Sequence, residues 1–420
     1  MKRILASFFV FVMLLSAVPA FAANIRTSGL YTYEIKGNGT ITITDFDWEN
    51  NSGDIFIPNM IDGYTVTGIG NEAFACGYNQ NKTEYTLTLP EGITTIGNKA
   101  FWYANINAIN IPNSLQHIGS AAFYGCASCQ FKLTPNHQYF AVIDEGLYSK
   151  AKKELIAYSW KNVDTYRDET ICIPEGIQSI GAYVFDGALD SGLDDYRISL
   201  PTTLTSIGDY AFCMGEFIEF TGNLPNLKII GEGAFLECEI TGYGCNLIMP
   251  AVELIGDEAF SASRIYNSDG CSIDFTGSPL TQIGNGAFSS ISAATPGNKS
   301  NVFIVPTEKC TNIGINNEGL GSIMTKESDF SPALTTIPTG LNPRVTSLPS
   351  TVTAIESGAF TKEAIDFRLS MSLTDIAVDA FPKGSTFIVD AGSYAELWCS
   401  ENGFGYTIEG QEDDLSWLNS

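Results

Sequence analysis

Large hydrophobic residues recur along this chain in two alternating phrases. In the first, two aliphatic residues flank one outward position and a proline follows: TLTLP ending at Pro90, INIP at Pro112, ICIP at Pro174, ISLP at Pro201 and LIMP at Pro250. A period of two turns both aliphatic side chains to one face of a short strand, and proline ends the strand because it cannot donate the next ladder hydrogen bond. The second phrase is I-G-x-x-A-F. It starts at Ile69, Ile96, Ile118, Ile207, Ile230, Ile255 and Ile283, with looser copies from Ile180, Ile355 and Ile376. An apolar residue stands three positions before the isoleucine, as at Ile93, Leu115, Ile177, Leu204, Val252 and Leu280.

Successive starts lie 27, 22, 62, 27, 23, 25, 28, 72 and 21 residues apart. The two long gaps are near multiples of the unit and hide degenerate copies; Ile313 and Ile337 fit the second. A period of about 20–30 residues identifies a solenoid, in which each coil buries its apolar face only against its neighbours. The glycine after isoleucine is expected in a conformation closed to other residues. The alanine leaves room for the chain to turn, through one helical turn. Stacked coils align Phe74, Phe101, Phe123, Phe185, Phe212, Phe235, Phe260 and Phe288 into an aromatic spine. About twelve coils at ~4.8 Å spacing make an array roughly 55–60 Å long.

The composite unit, L-x-[LI]-P-x-x-[LIV]-x-x-I-G-x-x-A-F, resembles the BspA-like branch of the leucine-rich repeats, whose signature continues to A-F-x-x-C; Cys126 and Cys238 take that last place. The resemblance covers roughly residues 28–408 and is weakest between Ile291 and Pro349. It implies an α/β-type repeat solenoid dominated by short β-strands: a right-handed leucine-rich-repeat array with a parallel sheet on one face, a β-rich N-terminal cap and a short C-terminal cap. "FKLTPNHQYFAVIDEGLYSKAKKELIAYSW" is similar to a hairpin-bearing variant repeat, and "AGSYAELWCSENGFGYTI" to a closing cap. The expected organisation is a signal peptide at 1–22, the N-terminal cap at 23–68, and the solenoid at 69–381 with its hairpin at 131–160. A C-terminal cap at 382–408 and an acidic tail at 409–420 follow.

Export is read from the N-terminus. Lys2 and Arg3 precede an apolar run from Ile4 to Val18, and Ala20-Phe21-Ala22 forms a small-residue cleavage site. A secreted or cell-surface location is therefore expected, without membrane insertion after cleavage. The formal charge is −25, from 47 acidic and 22 basic residues. Such a chain repels phosphate backbones and anionic lipid, which excludes nucleic acid as a partner. The charge fits either solubility outside the cell or a preference for cationic partners.

Chemistry is sparse. The chain has two histidines, His117 in a repeat turn and His137 in the variant hairpin, too few for a histidine-rich metal site or a hydrolase triad with local partners. Cys126-Ala-Ser-Cys129 lacks a second CxxC, and Cys126 is already a repeat core position. "DFDWENNSGD" from Asp45 places Asn50 where a calcium hand needs glycine and Phe56 where it needs glutamate. "DSGLDD" from Asp190 is an exposed loop between coils. No catalytic, cofactor or metal site is expected, and the chain is not expected to be an enzyme. Among the ten cysteines, Cys245 and Cys271 each lie two residues before the first inward residue of adjacent strands, within reach of a disulfide; free thiols are the alternative. Cys310 stands in for a core aliphatic residue.

What remains is surface. The outward strand residues Thr88, Asn110, Cys172, Ser199, Glu219, Ile248, Asp274, Ile304, Ser347 and Arg368 should line one sheet face, the face leucine-rich repeats commonly use for binding. Trp102, Tyr103 and Tyr124, after the A-F turn, fit either stacking on sugars or packing between coils. The expected function is an exported, monomeric recognition scaffold binding an extracellular protein; the resemblance implies adhesion to host or matrix components. Glycan or polysaccharide binding is the alternative, and an enzyme or inhibitor has no supporting constellation.

Overall fold

The computed structural model describes residues 24–410, except 52, 77–83, 127, 161–169, 187–195, 216–217, 222, 241–245, 267–271, 295–302, 305–308, 311, 318–319, 321–328 and 362. It is a β-solenoid of about 13 turns with almost no helix. Each coil contributes to two parallel ladders, or to three from Ile229 to Ile304, where the resemblance implied a parallel sheet on one face. The first joins the proline-terminated strands, as in Tyr85–Thr88, Ile106–Ile111 and Gln130–Leu133, where Thr88 pairs with Asn110 and Asn110 with Lys132. The second is a line of two-residue strands at each Ile-Gly, running from Ser179–Ile180 through Ser206–Ile207, Ile229–Ile230, Leu254–Ile255 and Gln282–Ile283 to Asn312–Ile313. So short a strand falls below what periodicity can register, because one inward residue per coil gives no alternation.

The A-F segment is not a helical turn. The third residue after each isoleucine takes a left-handed conformation at Glu72, Lys99, Ala121, Tyr183, Tyr210 and Glu258, and a second left-handed residue follows at Tyr103, Met214, Glu237, Ala262 and Ser290. Alternation of handedness aims every other amide at the next coil. Lys99 N–H donates to Ser120 O at 2.9 Å, Phe101 to Ala122 O at 2.9 Å and Tyr103 to Tyr124 O at 2.8 Å. The amides in between close tight turns within the segment, as Trp102 does on Lys99 O at 3.1 Å and Ala104 on Phe101 O at 3.0 Å, so the turn bonds both within itself and between coils. That satisfies its backbone while keeping coil spacing equal to strand spacing.

The glycine expectation is corrected in the same way. Gly97, Gly119, Gly231 and Gly256 do not have positive φ. They are glycine because the preceding coil passes too close: a Cβ on Gly97 would lie 2.5 Å from Asn71 N, and one on Gly256 2.6 Å from Glu232 N.

The phenylalanine spine forms as expected. Phe46 of the cap stacks on Phe74 at 4.9 Å, and Phe101 and Phe123 follow at 5.4 and 5.6 Å steps. Phe185, Phe212, Phe235, Phe260 and Phe288 stack at 5.1, 5.3, 5.0 and 5.5 Å, with interplanar angles of 13° or less. The spine breaks between Phe123 and Phe185, where the hairpin inserts. Its strands Phe140–Ile143, Gly146–Ser149 and Glu154–Tyr158 are antiparallel, and the last then pairs in parallel with Ser179–Ile180. Leu147, Ile156 and Ala157 bury into the core running back to Tyr33, while Tyr148, Leu155 and Tyr158 bury into the core running on to Cys399. The hairpin is a two-faced partition between two cores.

The N-terminal cap is an antiparallel meander, Ile25–Ser28, Tyr31–Ile35 and Thr40–Phe46, whose last strand starts the isoleucine ladder by pairing in parallel with Tyr64–Ile69. At the other end helix α1 (Tyr394–Asn402) closes the core. Ser393 caps it by accepting the Glu396 amide, and Gly403 ends it at φ 73°. Trp398, packed against Phe381 and Phe387 and stacked on Phe404 at 5.0 Å, terminates the spine.

Candidate recognition surface

A side chain free to bind a partner must not already be used to hold coils together. On the Ile-Gly turn most are used. Asn71 Oδ1 accepts the Asn98 amide at 2.8 Å, and Asn98 Oδ1 accepts that of Ser120 at 2.9 Å. Asp209 does the same for Glu232, Asp257 for Asn285, and Asn285 for Ile315. These polar letters, which vary between copies, are an inter-coil ladder.

The turn after proline is also occupied. The Glu91 carboxylate accepts the amides of Asn113 and Ser114 in the next coil at 3.0 and 3.1 Å, and Glu175 accepts the amide and hydroxyl of Thr202 at 2.9 and 3.1 Å. These backbone hydrogen bonds, from Asn113 and from Thr202 foremost, hold both carboxyls below the usual carboxylate range.

The A-F edge carries half-buried aromatic rings, and their faces are covered. Trp102 meets Tyr124 at 5.6 Å, Tyr103 meets Tyr124 at 5.0 Å, Tyr124 meets Tyr183 at 4.6 Å, and Tyr183 stacks on Tyr210 at 5.0 Å and 13°. Lys99 Nζ sits 3.9 Å over Trp102. Tyr103 donates to the Tyr124 hydroxyl at 2.9 Å, and Tyr210 to Glu232 at 2.6 Å. Sugar stacking needs an open ring face, so the geometry favours packing between coils over a saccharide platform here.

The strand face is different. Thr88, Asn110 and Ser199 make no side-chain hydrogen bond among the described residues, and Ile248 is 38% exposed. The register groups the expected row into blocks: Thr88 with Asn110, Cys172 with Ser199, Ile248 with Asp274 and then Ile304, and Ser347 with Arg368. Glu219 is out of the row. Ser199 pairs with Thr221, and Glu219 pairs with Arg197, because this strand runs two residues longer than the motif implied. Asp274 turns back to accept the Thr276 amide at 2.7 Å, and Arg368 is engaged by Glu409, with Asp390 3.8 Å away. Phe56 and Lys132 extend the first block and Ile388 the last. Phe56, 66% exposed, lies between Ile55 and Ile57 of an I-x-I-P phrase and could have been found on that signal.

The remaining residues are structural. His137 is buried, its Nε2 2.9 Å from Pro112 O and its Nδ1 accepting the amides of Tyr139 and Phe140 at 3.2 Å, which pins the hairpin to the preceding coil. His117 is exposed. Cys126 and Cys129 are buried, and burial pushes the Cys126 thiol up to about 11. In the cap, Asp47 accepts from Asn50, and Asp54 accepts the Thr86 amide at 2.8 Å. Among the described residues no group of three or more His, Cys, Asp or Glu is placed to hold a metal ion. Cys245, Cys271 and 190–195 lie outside the described residues, although Asn246 and Ser272, next to the two cysteines, are paired neighbours.

The family model for the BspA type leucine rich repeat region matches residues 43–166 and 155–295. The chain belongs to the BspA-type leucine-rich-repeat family. No curated protein matches this BspA-type chain significantly. Among solved structures it is similar to a leucine rich cell surface protein from Faecalibacterium prausnitzii, at 19% identity over 89% of this chain and 96% of that one, TM-score 0.38. It is also similar to a leucine-rich repeat protein from Bacteroides ovatus, at 17% identity over 91% and 99%, TM-score 0.38. The pneumococcal vaccine antigen PcpA matches at 15% identity over 92% and 98%, TM-score 0.30. Among the described residues no helix is long and apolar enough to cross a membrane.

Proposed function

We propose that this protein is an exported recognition scaffold whose proline-terminated strand face binds an extracellular protein, in the manner of an adhesin. The observation that carries this reading is the division of labour among its side chains. Polar letters of both turns hold successive coils, the aromatic edge packs on itself, and the outward strand positions Thr88, Asn110 and Ser199 hold nothing. A rigid ladder that presents unused side chains at about 4.8 Å intervals is suited to a large, flat partner. The apolar run and cleavage site at 1–22 support export, and the same surface would serve a secreted or a cell-attached protein.

The test is binding of the secreted chain to immobilised extracellular-matrix proteins and to a glycan array. Asn110→Arg and Ser199→Arg are expected to weaken protein binding at least about tenfold while shifting stability by less than about 0.5 kcal/mol, since neither position is used in packing. Undiminished binding by both variants would exclude the strand face, and binding confined to glycans would replace the protein-binding reading.

A further inference from the structure

The C-terminal end of the array is apolar where the end of a solenoid is ordinarily polar. Of the fifteen exposed large apolar side chains among the described residues, six lie between Met371 and Tyr406, in the last coil and the closing cap. Val378 is 70% exposed at the position where Asn98 and Asp209 clamp a following coil, and Leu397 is 55% exposed on α1. Terminal repeats of a soluble solenoid carry a polar outer face because no neighbour covers them. At the opposite end the edge strand Ile25–Ser28 holds a charge, Arg26, and Ser28 is tied to Asp62 at 2.9 Å.

The last strand, Gly405–Ile408, pairs in parallel with Thr386–Val389 and with no further strand among the described residues. Glu409 N–H donates to Val389 O at 2.8 Å. Alternate residues of a strand bond to opposite sides, so Gly405 and Thr407 also turn their backbone toward Thr386–Val389, while Tyr406 and Ile408 turn theirs to the open edge. Tyr406 stands in register with Phe387 and Phe367, both buried, yet its own side chain is 37% exposed because no strand follows. The sequence GYTI holds no charge and no proline, two of the devices that keep natural edges from pairing.

We propose that this edge pairs with the same edge of a second copy, joining two solenoids end to end about a two-fold axis. Antiparallel pairing with Thr407 opposite its own copy sets each Tyr406 opposite an Ile408. Every open backbone group of the two edges is then used, and each exposed tyrosine ring lies beside an isoleucine of the second copy. A two-fold interface needs a surface complementary to itself, and the charges here are. Antiparallel strands lay the start of each beside the end of the other. Lys383, just before Thr386 at the start, is exposed and in no ion pair among the described residues. At the far end Arg368 is shared by Asp390, at 3.8 Å, and Glu409, which leaves an excess of negative charge. Tyr394 and Leu397, exposed on the adjoining helix α1, add apolar area, and the row Arg368–Ile388–Thr407 continues into that of the second copy.

Self-association is read without any other protein, so the pairing stands apart from the strand-face reading. Sedimentation of the full secreted chain is expected to show a monomer–dimer equilibrium with the dimer dominant at about 100 μM. Thr407→Cys should give a covalent dimer on mild oxidation, its disulfide identified by peptide mass mapping, since opposite residues of a non-hydrogen-bonded pair lie about 4.5 Å apart at Cα. Ile388→Cys, exposed in the same row one strand back, should not. Thr407→Lys sets like charges opposite each other at an exposed edge position and should weaken association at least about tenfold with the thermal midpoint unchanged. A chain that stays monomeric, equal crosslinking by Ile388→Cys and Thr407→Cys, or undiminished association of a folded Thr407→Lys protein overturns the proposal.

Discussion

At the residue scale, two positions of the I-G-x-x-A-F phrase exchange the roles that their residue types suggest. Gly256 sits where a Cβ would come 2.6 Å from the backbone of the preceding coil, while Glu258, two residues on, holds a left-handed backbone at φ 53°. The contact at Gly256 is with the backbone of Gly231 and Glu232 and cannot relax by a rotamer change. Gly256→Ala is expected to cost about 2–3 kcal/mol, at the upper end of what overpacking costs. Glu258→Gly removes left-handed strain but adds freedom to the unfolded chain. Its net effect should stay within about 1 kcal/mol. Urea denaturation of the two variants checks the order; a milder effect at Gly256 than at Glu258 would show that the coils are not in contact there.

At the element scale, side chains as well as backbone join one coil to the next. Glu91 and Glu175 each clamp the following coil through its amides, and both carboxyls are held below their ordinary value of 4.5. A depressed carboxyl contributes stability that is present above the unfolded value and lost as pH falls through the folded one. Thermal midpoints of Glu91→Gln/Glu175→Gln should therefore lie below those of the unaltered chain at pH 7. The two curves should converge on acidification below about 4.5, as the clamps protonate in the unaltered chain. A gap that persists at pH 2 would assign the loss to packing. Both groups are exposed, so the effect depends on hydrogen-bond geometry rather than burial, and added salt should reduce it.

At the scale of the whole molecule, the hairpin strands Gly146–Ser149 and Glu154–Tyr158 are buried on both faces and separate two hydrophobic cores. A solenoid transmits stability only between neighbours, so a partition of this kind is expected to divide unfolding into two cooperative blocks. Phe101→Ala should destabilise the N-terminal block by about 3–5 kcal/mol. Amide exchange at Phe235 and Phe260, beyond the partition, should be unchanged. Equal loss of protection on both sides would make the array a single unit.

The sequence by itself determined the coil. Isoleucine, proline, alanine and phenylalanine recur at fixed offsets because each inward position meets the same position of the next coil, so the repeat, its spine and its family were legible from one chain. The tertiary structure decided what depends on two coils at once. Gly97 is needed for the approach of Asn71, Asn98 and Asp209 are consumed by amides of later coils, and Glu219 leaves the strand row by a two-residue slip. Periodicity reports what faces inward, whereas contacts between unlike positions in successive coils exist only once the coils are stacked.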